Sequence, residues 1–108
     1  MISVGIFRNK NKRIWGFTVN DHGESSVCAA VSMLTLNTVN SIEAFTDEVT
    51  ECHYNTTGGF LSFSLPEVKN GAESGKAYIL LEAMALGLRS VKENYNNEIE
   101  IKDYEDKH

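Results

Sequence analysis

The sequence has little of what several classes of protein require. It contains one proline and two cysteines among 108 residues, and ten Lys and Arg against fifteen Asp and Glu give a formal net charge of −5. Two cysteines are too few for a secreted disulfide scaffold, and both are predicted to be reduced thiols. The acidic balance argues against a general affinity for nucleic acid or anionic membrane. We therefore expect no direct nucleic-acid partner.

Long apolar runs are also missing. No stretch approaches the roughly 18 apolar residues of a membrane-spanning helix, and no charged region precedes an apolar run at the first residues. We therefore expect a cytoplasmic protein with no membrane partner. The composition, 42% hydrophobic and 23% charged, is that of a chain that folds, and the length suits a single domain over residues 1–108.

Alternating apolar residues predict a first β-hairpin. Residues 2–7 alternate, and the alternation resumes at Trp15, Phe17 and Val19 after a polar segment at residues 8–12. The period then changes to three and four residues over 24–45, which predicts a helix that follows the second strand almost directly.

A second hairpin and a second helix follow. Residues 50–54 and 60–65 are predicted strands, joined by a turn that contains Gly58 and Gly59 and ended by Pro66. Beyond a link rich in helix-breaking residues, an apolar stripe from Ala77 to Tyr95 predicts a long amphipathic helix. Residues 99–101 predict a last strand at an edge of the sheet.

The predicted order is β-β-α-β-β-α-β. Two hairpins separated by helices favour an α+β sandwich, in which both helices pack on one face of a single antiparallel or mixed sheet. The second helix is long for a domain of this size, so its apolar stripe is a candidate surface for a second copy of the chain.

His22 and Cys28 form the candidate catalytic pair. His22 lies just past the end of a predicted strand, and Cys28 lies in the first turn of the next helix. Unpaired N–H groups and the helix dipole at such a position favour a thiolate, the form that attacks carbonyls, and the same N–H groups can stabilise an oxyanion. A histidine within hydrogen-bonding distance of the thiol can take its proton and later give it to a leaving amine.

Structural interpretations of the same residues remain open. A cysteine in the first turn of an amphipathic helix is more often a small buried residue, and a loop histidine is usually solvated. Ser32, one turn beyond Cys28, is interpreted as an ordinary helix-contact residue, and Tyr54 as a packing residue. A metal site built from the two cysteines, His22 and His53 lacks any ligand-pair spacing typical of zinc. In an alternating strand Cys52 faces inward and His53 faces solvent.

Several segments together resemble the ribosomal-processing cysteine protease family known as Prp. The resemblance begins at Val27-Cys28-Ala29-Ala30-Val31-Ser32 and extends in order to residues 17–23, 38–43, 58–61 and 83–88 with Tyr95. It implies a compact α+β homodimer with a Cys–His protease activity that removes a short N-terminal extension from a large-subunit ribosomal protein. It implies Cys28 as the nucleophile and His22 as the base, and it implies no cofactor.

The chain departs from the family pattern at one place. The family's Gly-His-Ala triplet reads Asp21-His22-Gly23 in this chain. Cys28 follows His22 by only six positions, a shorter spacing than is usual in the family. Asp21 is a candidate for orienting the imidazole, although a solvated Asp is the simpler interpretation. The alternative function is therefore a divergent, non-catalytic homodimeric relative that binds a ribosomal or other protein partner without cutting it.

Overall fold

A computed structural model describes residues 1–20, 25–55, 59–73 and 75–106. Within these ranges the chain forms five strands, β1 (Ile2–Arg8), β2 (Ile14–Asn20), β3 (Glu51–Tyr54), β4 (Phe60–Ser64) and β5 (Ile99–Glu105). The helices are α1 (Ser25–Phe45), a short α2 (Pro66–Lys69) and α3 (Gly75–Asn94). This order confirms the predicted arrangement and adds α2 to it.

The strands form one mixed sheet in the order β3-β4-β2-β1-β5. The hairpins β1–β2 and β3–β4 and the pair β2–β4 are antiparallel, whereas β5 runs parallel to β1. The final strand lies at an edge, as predicted. Gly16 allows β2 and β4 to approach closely, because a Cβ on it would lie 2.7 Å from the carbonyl oxygen of Phe63.

The core lies between the sheet and the two long helices, which pack against each other and against the sheet. Alternate residues of the central strands are buried on that side: Ile2, Val4 and Ile6 of β1, and Phe17 and Val19 of β2. The rings of Phe17 and Phe63 lie 5.5 Å apart between centroids. α1 contributes Val27, Val31, Val39 and Ile42, and α3 contributes Ala77, Leu81, Met84, Ala85 and Leu88. The apolar stripe of α3 is therefore mostly buried within a single copy of the chain, and the expectation that it is a surface for a second copy is wrong.

α2 begins at Pro66, where the sequence predicts only the end of a strand. Proline suits the first position of a helix because its missing N–H is one that would have no helical acceptor. Val68 of this turn is fully buried, and the Val68 carbonyl accepts a hydrogen bond from the Asn9 side chain at 2.9 Å. α2 therefore anchors the β1–β2 loop to the link that precedes α3.

Of the helices in the described ranges, none is long and apolar enough to cross a membrane.

Candidate active site

Cys28 lies in the first turn of α1, as predicted. Val27 beside it is 1% exposed, and its packing in the core positions the start of the helix. Cys28 is half-buried and packs against the same core. Helix geometry leaves the N–H groups of the first turn without intrahelical acceptors, and the helix dipole adds positive potential there. The electrostatic potential at the position of the thiol therefore favours an anion. His22 and Asp21 lie outside the described residues.

A groove of about 290 Å³ lies between α1 and the strands β2, β3 and β4. Its lining is Val19, Ser32, Thr35, Leu36, Tyr54, Gly59, Phe60 and Leu61. None of these residues carries a charge, and aliphatic and aromatic side chains predominate. The groove therefore suits an apolar segment of a bound molecule.

The groove comes within one helical turn of Cys28, because Ser32 belongs to its lining. Ser32 is four residues beyond Cys28 on α1, a spacing that places the two Cβ atoms about 5–6 Å apart on one helix face. Thr35 in the groove wall is 1% exposed and its hydroxyl donates to the Val31 carbonyl at 2.9 Å. A chain bound in the groove would need to extend about one helical turn along α1 to reach the thiol.

The β3–β4 hairpin forms the opposite wall of the groove. The Asn55 N–H donates to the Phe60 carbonyl at 3.1 Å, and Gly59 has a φ of 90°, a backbone conformation that glycine adopts readily. Gly58 lies outside the described residues. Tyr54 and Phe60 are 69% and 39% exposed on this wall.

The interpretation of Tyr54 as a packing residue is therefore wrong, because its side chain is mostly exposed at the end of the edge strand β3. Leu36 and Phe60 line the groove as well, and neither was predicted to belong to a site. The sequence feature that could have identified them is an apolar residue outside the periodic positions that face the core. Leu36 is such a residue, and it is 48% exposed on α1.

Cys52 has different surroundings from Cys28. It pairs across the strands with Phe63 and packs against the core, whereas its neighbour His53 is exposed, which confirms the predicted alternation. Burial raises the pKa of the Cys52 thiol, and the carboxylate of Glu43 raises it further. In the part of the chain that the structure describes, no three His, Cys, Asp or Glu side chains are grouped to hold a metal ion.

Similarity to known proteins covers nearly the whole chain. The ribosomal processing cysteine protease Prp of Bacillus subtilis is 25% identical over 107 residues, with 94% of this chain and 96% of the relative covered. The protein of the same name from Staphylococcus aureus is 28% identical over 107 residues, with 94% and 97% covered.

A solved structure shows the same fold. The crystal structure of the essential ribosomal processing protease Prp from S. aureus, in complex with a covalently linked product peptide, superimposes with a TM-score of 0.87 at 25% identity. The superposition covers 95% of this chain and 99% of that one. The family model of cysteine protease Prp matches residues 1–100. The chain therefore belongs to the cysteine protease Prp family.

Proposed function

We propose that this chain is a cysteine endopeptidase that removes an N-terminal extension from a large-subunit ribosomal protein. The observation that carries the proposal is the position of Cys28, in the first turn of α1 and beside an uncharged, largely apolar groove. The relatives from B. subtilis and S. aureus are named ribosomal processing cysteine proteases. The covalently linked product peptide in the S. aureus structure supports a mechanism through a covalent intermediate.

Cys28 is the proposed nucleophile and His22 the proposed base. His22 takes the thiol proton, and the sulfur attacks the scissile carbonyl carbon to give a tetrahedral oxyanion that the N–H groups at the start of α1 stabilise. Collapse breaks the C–N bond, and the imidazolium gives its proton to the leaving amine. Water, deprotonated by the same imidazole, then hydrolyses the thioester, which releases the extension as an acid and restores the thiol. No step needs a metal or an organic cofactor.

The groove indicates which substrate segment the protein accepts. Its lining favours apolar side chains in an extended chain, since Leu36, Tyr54 and Phe60 are partly exposed and uncharged. The net charge of −5 also suits a basic partner, as ribosomal proteins generally are. The substrate is therefore a basic protein whose N-terminal extension carries apolar residues near the cleaved bond.

A quenched fluorescent peptide that spans the junction of such an extension tests the proposal. Wild type should cleave it, and Cys28→Ala should lower kcat/KM by at least about 10³-fold because the nucleophile is gone. His22→Ala should lower kcat by about 10²–10⁴-fold. Cys52→Ala is the matched control and should keep wild-type kcat/KM. Equal cleavage by Cys28→Ala contradicts the proposal.

Binding and cleavage of the extended ribosomal protein, measured together, decide between the protease and its non-catalytic alternative, which the short link between His22 and Cys28 suggests. Tight binding of the extended ribosomal protein without cleavage by wild type favours the binding protein. Cleavage that depends on both residues excludes it.

The protein is further proposed to be a single domain over residues 1–108, to act in the cytoplasm and to be a homodimer. Exposed Met33 of α1 and Leu86 of α3 flank the close contact of the two helices, where Leu34 meets Gly87. Light scattering after gel filtration should give twice the monomer mass, and Met33→Asp with Leu86→Asp should halve it. Val49→Asp, at another exposed apolar residue, should leave the dimer intact. A monomeric wild type contradicts this part of the proposal.

A further inference from the structure

The chain concentrates positive charge in one segment although it is acidic as a whole. Residues 8–13 read Arg-Asn-Lys-Asn-Lys-Arg and hold four of the ten Lys and Arg of the chain, with no acidic residue among them. In the structure this segment is the end of β1 and the loop that joins it to β2. The proposed cleavage mechanism makes no use of it.

Hydrogen bonds hold the loop in one conformation. The Asn9 side-chain oxygen accepts from the N–H groups of Asn11 at 2.8 Å and Arg13 at 3.1 Å, and its amide donates to Val68. In the backbone, the Asn9 N–H donates to the Arg13 carbonyl and the Lys12 N–H donates to the Asn9 carbonyl. Asn9 is 2% exposed. The loop therefore presents its cations from a fixed backbone.

Three cations of the loop and one of the adjoining turn α2 are together called the basic patch: Lys10, Lys12, Arg13 and Lys69. All four are exposed, and none forms an ion pair within the described ranges. Lys69 belongs to the patch because Asn9 binds the carbonyl of Val68, its neighbour in α2. Arg8 is excluded, since its guanidinium is paired with Glu82 at 2.8 Å and Asp103 at 3.6 Å.

Two of these cations lie on aromatic rings. The Arg13 guanidinium carbon is 3.8 Å from the ring centroid of Tyr78, and the Lys69 ammonium is 4.7 Å from that of Trp15. Such contacts orient the charge without neutralising it. Arg13 is exposed, and a nucleic-acid base can stack on an exposed guanidinium.

Acidic residues also lie near the patch. Glu73 lines a polar cavity of about 370 Å³ together with Arg13 and Tyr78. The Asp106 N–H donates to the Arg8 carbonyl, so the exposed residues Glu105 and Asp106 run beside the loop. These charges lower the affinity for anions, and binding at the patch should be modest and sensitive to salt.

We propose that the basic patch binds the phosphate backbone of single-stranded RNA. The phosphates of RNA are spaced along its backbone and match several separate cations, and the exposed Arg13 guanidinium can also stack on a base, which an acidic peptide does not have. This proposal departs from the expectation of no nucleic-acid partner, because that expectation rests on the net charge of the whole molecule. The local charge of the patch is opposite in sign.

The basic patch is remote from Cys28. The loop lies at the start of β2, whereas α1 follows its end, and the seven residues of β2 span roughly 20 Å. RNA bound at the patch therefore leaves the groove beside Cys28 open. The proposal does not rest on the cleavage activity, and each can fail without the other.

Fluorescence anisotropy with a labelled, unstructured RNA oligonucleotide tests the proposal on the full chain. The logarithm of the binding constant should fall with the logarithm of salt with a slope of about −2 to −3, since each of the four phosphate contacts on a single strand contributes about −0.7. Lys10→Gln with Lys12→Asn should weaken binding at low salt by at least roughly tenfold. Asn is chosen at position 12 because it tolerates the positive φ of 64° there.

Arg89→Gln with Lys102→Gln is the matched control, because it removes the same total charge from exposed residues outside the patch. The control should keep wild-type RNA binding, and both double variants should keep wild-type melting temperatures. No salt-dependent binding by wild type overturns the proposal, and so does equal weakening in the control. Tighter binding of labelled polyglutamate than of RNA also overturns it, in favour of an acidic peptide.

Discussion

The two cysteine side chains differ in what surrounds the sulfur atom. Cys52 faces the core opposite Phe63, where burial and the Glu43 carboxylate raise the pKa of its thiol. Cys28 lies at the start of a long helix, where N–H groups without intrahelical acceptors and the helix dipole favour an anion. The sequence already indicated this difference, because a helix start and an alternating strand are both local patterns.

Alkylation should therefore distinguish the two thiols. With iodoacetamide near neutral pH, we expect Cys28 to react at least about tenfold faster than Cys52, since the thiolate is the reactive form. Peptide mass spectrometry of quenched samples gives both rates from the same reaction. Cys52→Ser should leave the fast reaction intact and Cys28→Ser should remove it. Equal rates at the two positions contradict the account of Cys28.

The groove beside Cys28 is assembled from several elements. α1 supplies Ser32 and Leu36, and the hairpin β3–β4 supplies Tyr54 and Phe60. The position of Cys28 on α1 follows from local periodicity, but the groove depends on how a distant hairpin packs beside that helix. Sequence patterns therefore predicted the position of Cys28 on α1 and not the groove one turn away from it.

Leu36→Asp should weaken substrate binding and leave the chemistry intact. Loss of an apolar contact to the substrate corresponds to about 1–3 kcal/mol, so KM for the peptide should rise by roughly 10-fold to 200-fold with little change in kcat. Leu36 is 48% exposed, so the folded protein should tolerate the substitution. Val49→Asp is the control and should keep the wild-type KM. An unchanged KM in Leu36→Asp excludes the groove as the binding surface.

The strand pairing shows where sequence reasoning stops. The β1–β2 and β3–β4 hairpins follow from alternation and turn residues that are close in the chain. The parallel pairing of β5 with β1 joins Ile99 to Ile2, which only the packing of α3 on the sheet brings together. α2 escaped prediction because Pro66 ends a strand and begins a helix equally well.

At the scale of the whole molecule, Arg8 connects the edge strand β5 and helix α3 to β1. This side chain is 13% exposed and joins β1 to Glu82 of α3 at 2.8 Å and to Asp103 of β5 at 3.6 Å. The Glu82 hydrogen bond raises the pKa of Arg8. The exposed pair of Lys102 and Glu100 lies on the same edge strand, 3.5 Å apart, and provides a comparison.

Arg8→Met should lower the free energy of unfolding by about 1–3 kcal/mol, because it leaves the Glu82 carboxylate without its charged partner in a partly buried place. Lys102→Met should change it by less than about 1 kcal/mol, as is usual for an exposed pair. Chemical denaturation of both variants gives the two values. A larger effect at Lys102 than at Arg8 contradicts the assigned role of Arg8.

Cleavage of an intact, N-terminally extended ribosomal protein from the source organism of this chain tests the central claim most directly. Mass spectrometry of the products should show that wild type cuts a single bond in the extension, leaving a shorter protein and one released peptide. Cys28→Ala should leave the substrate whole, and Cys52→Ala should cut it as wild type does. An uncut substrate with wild type, or the same products with Cys28→Ala, contradicts the assignment of Cys28 as the nucleophile of a ribosomal-protein protease.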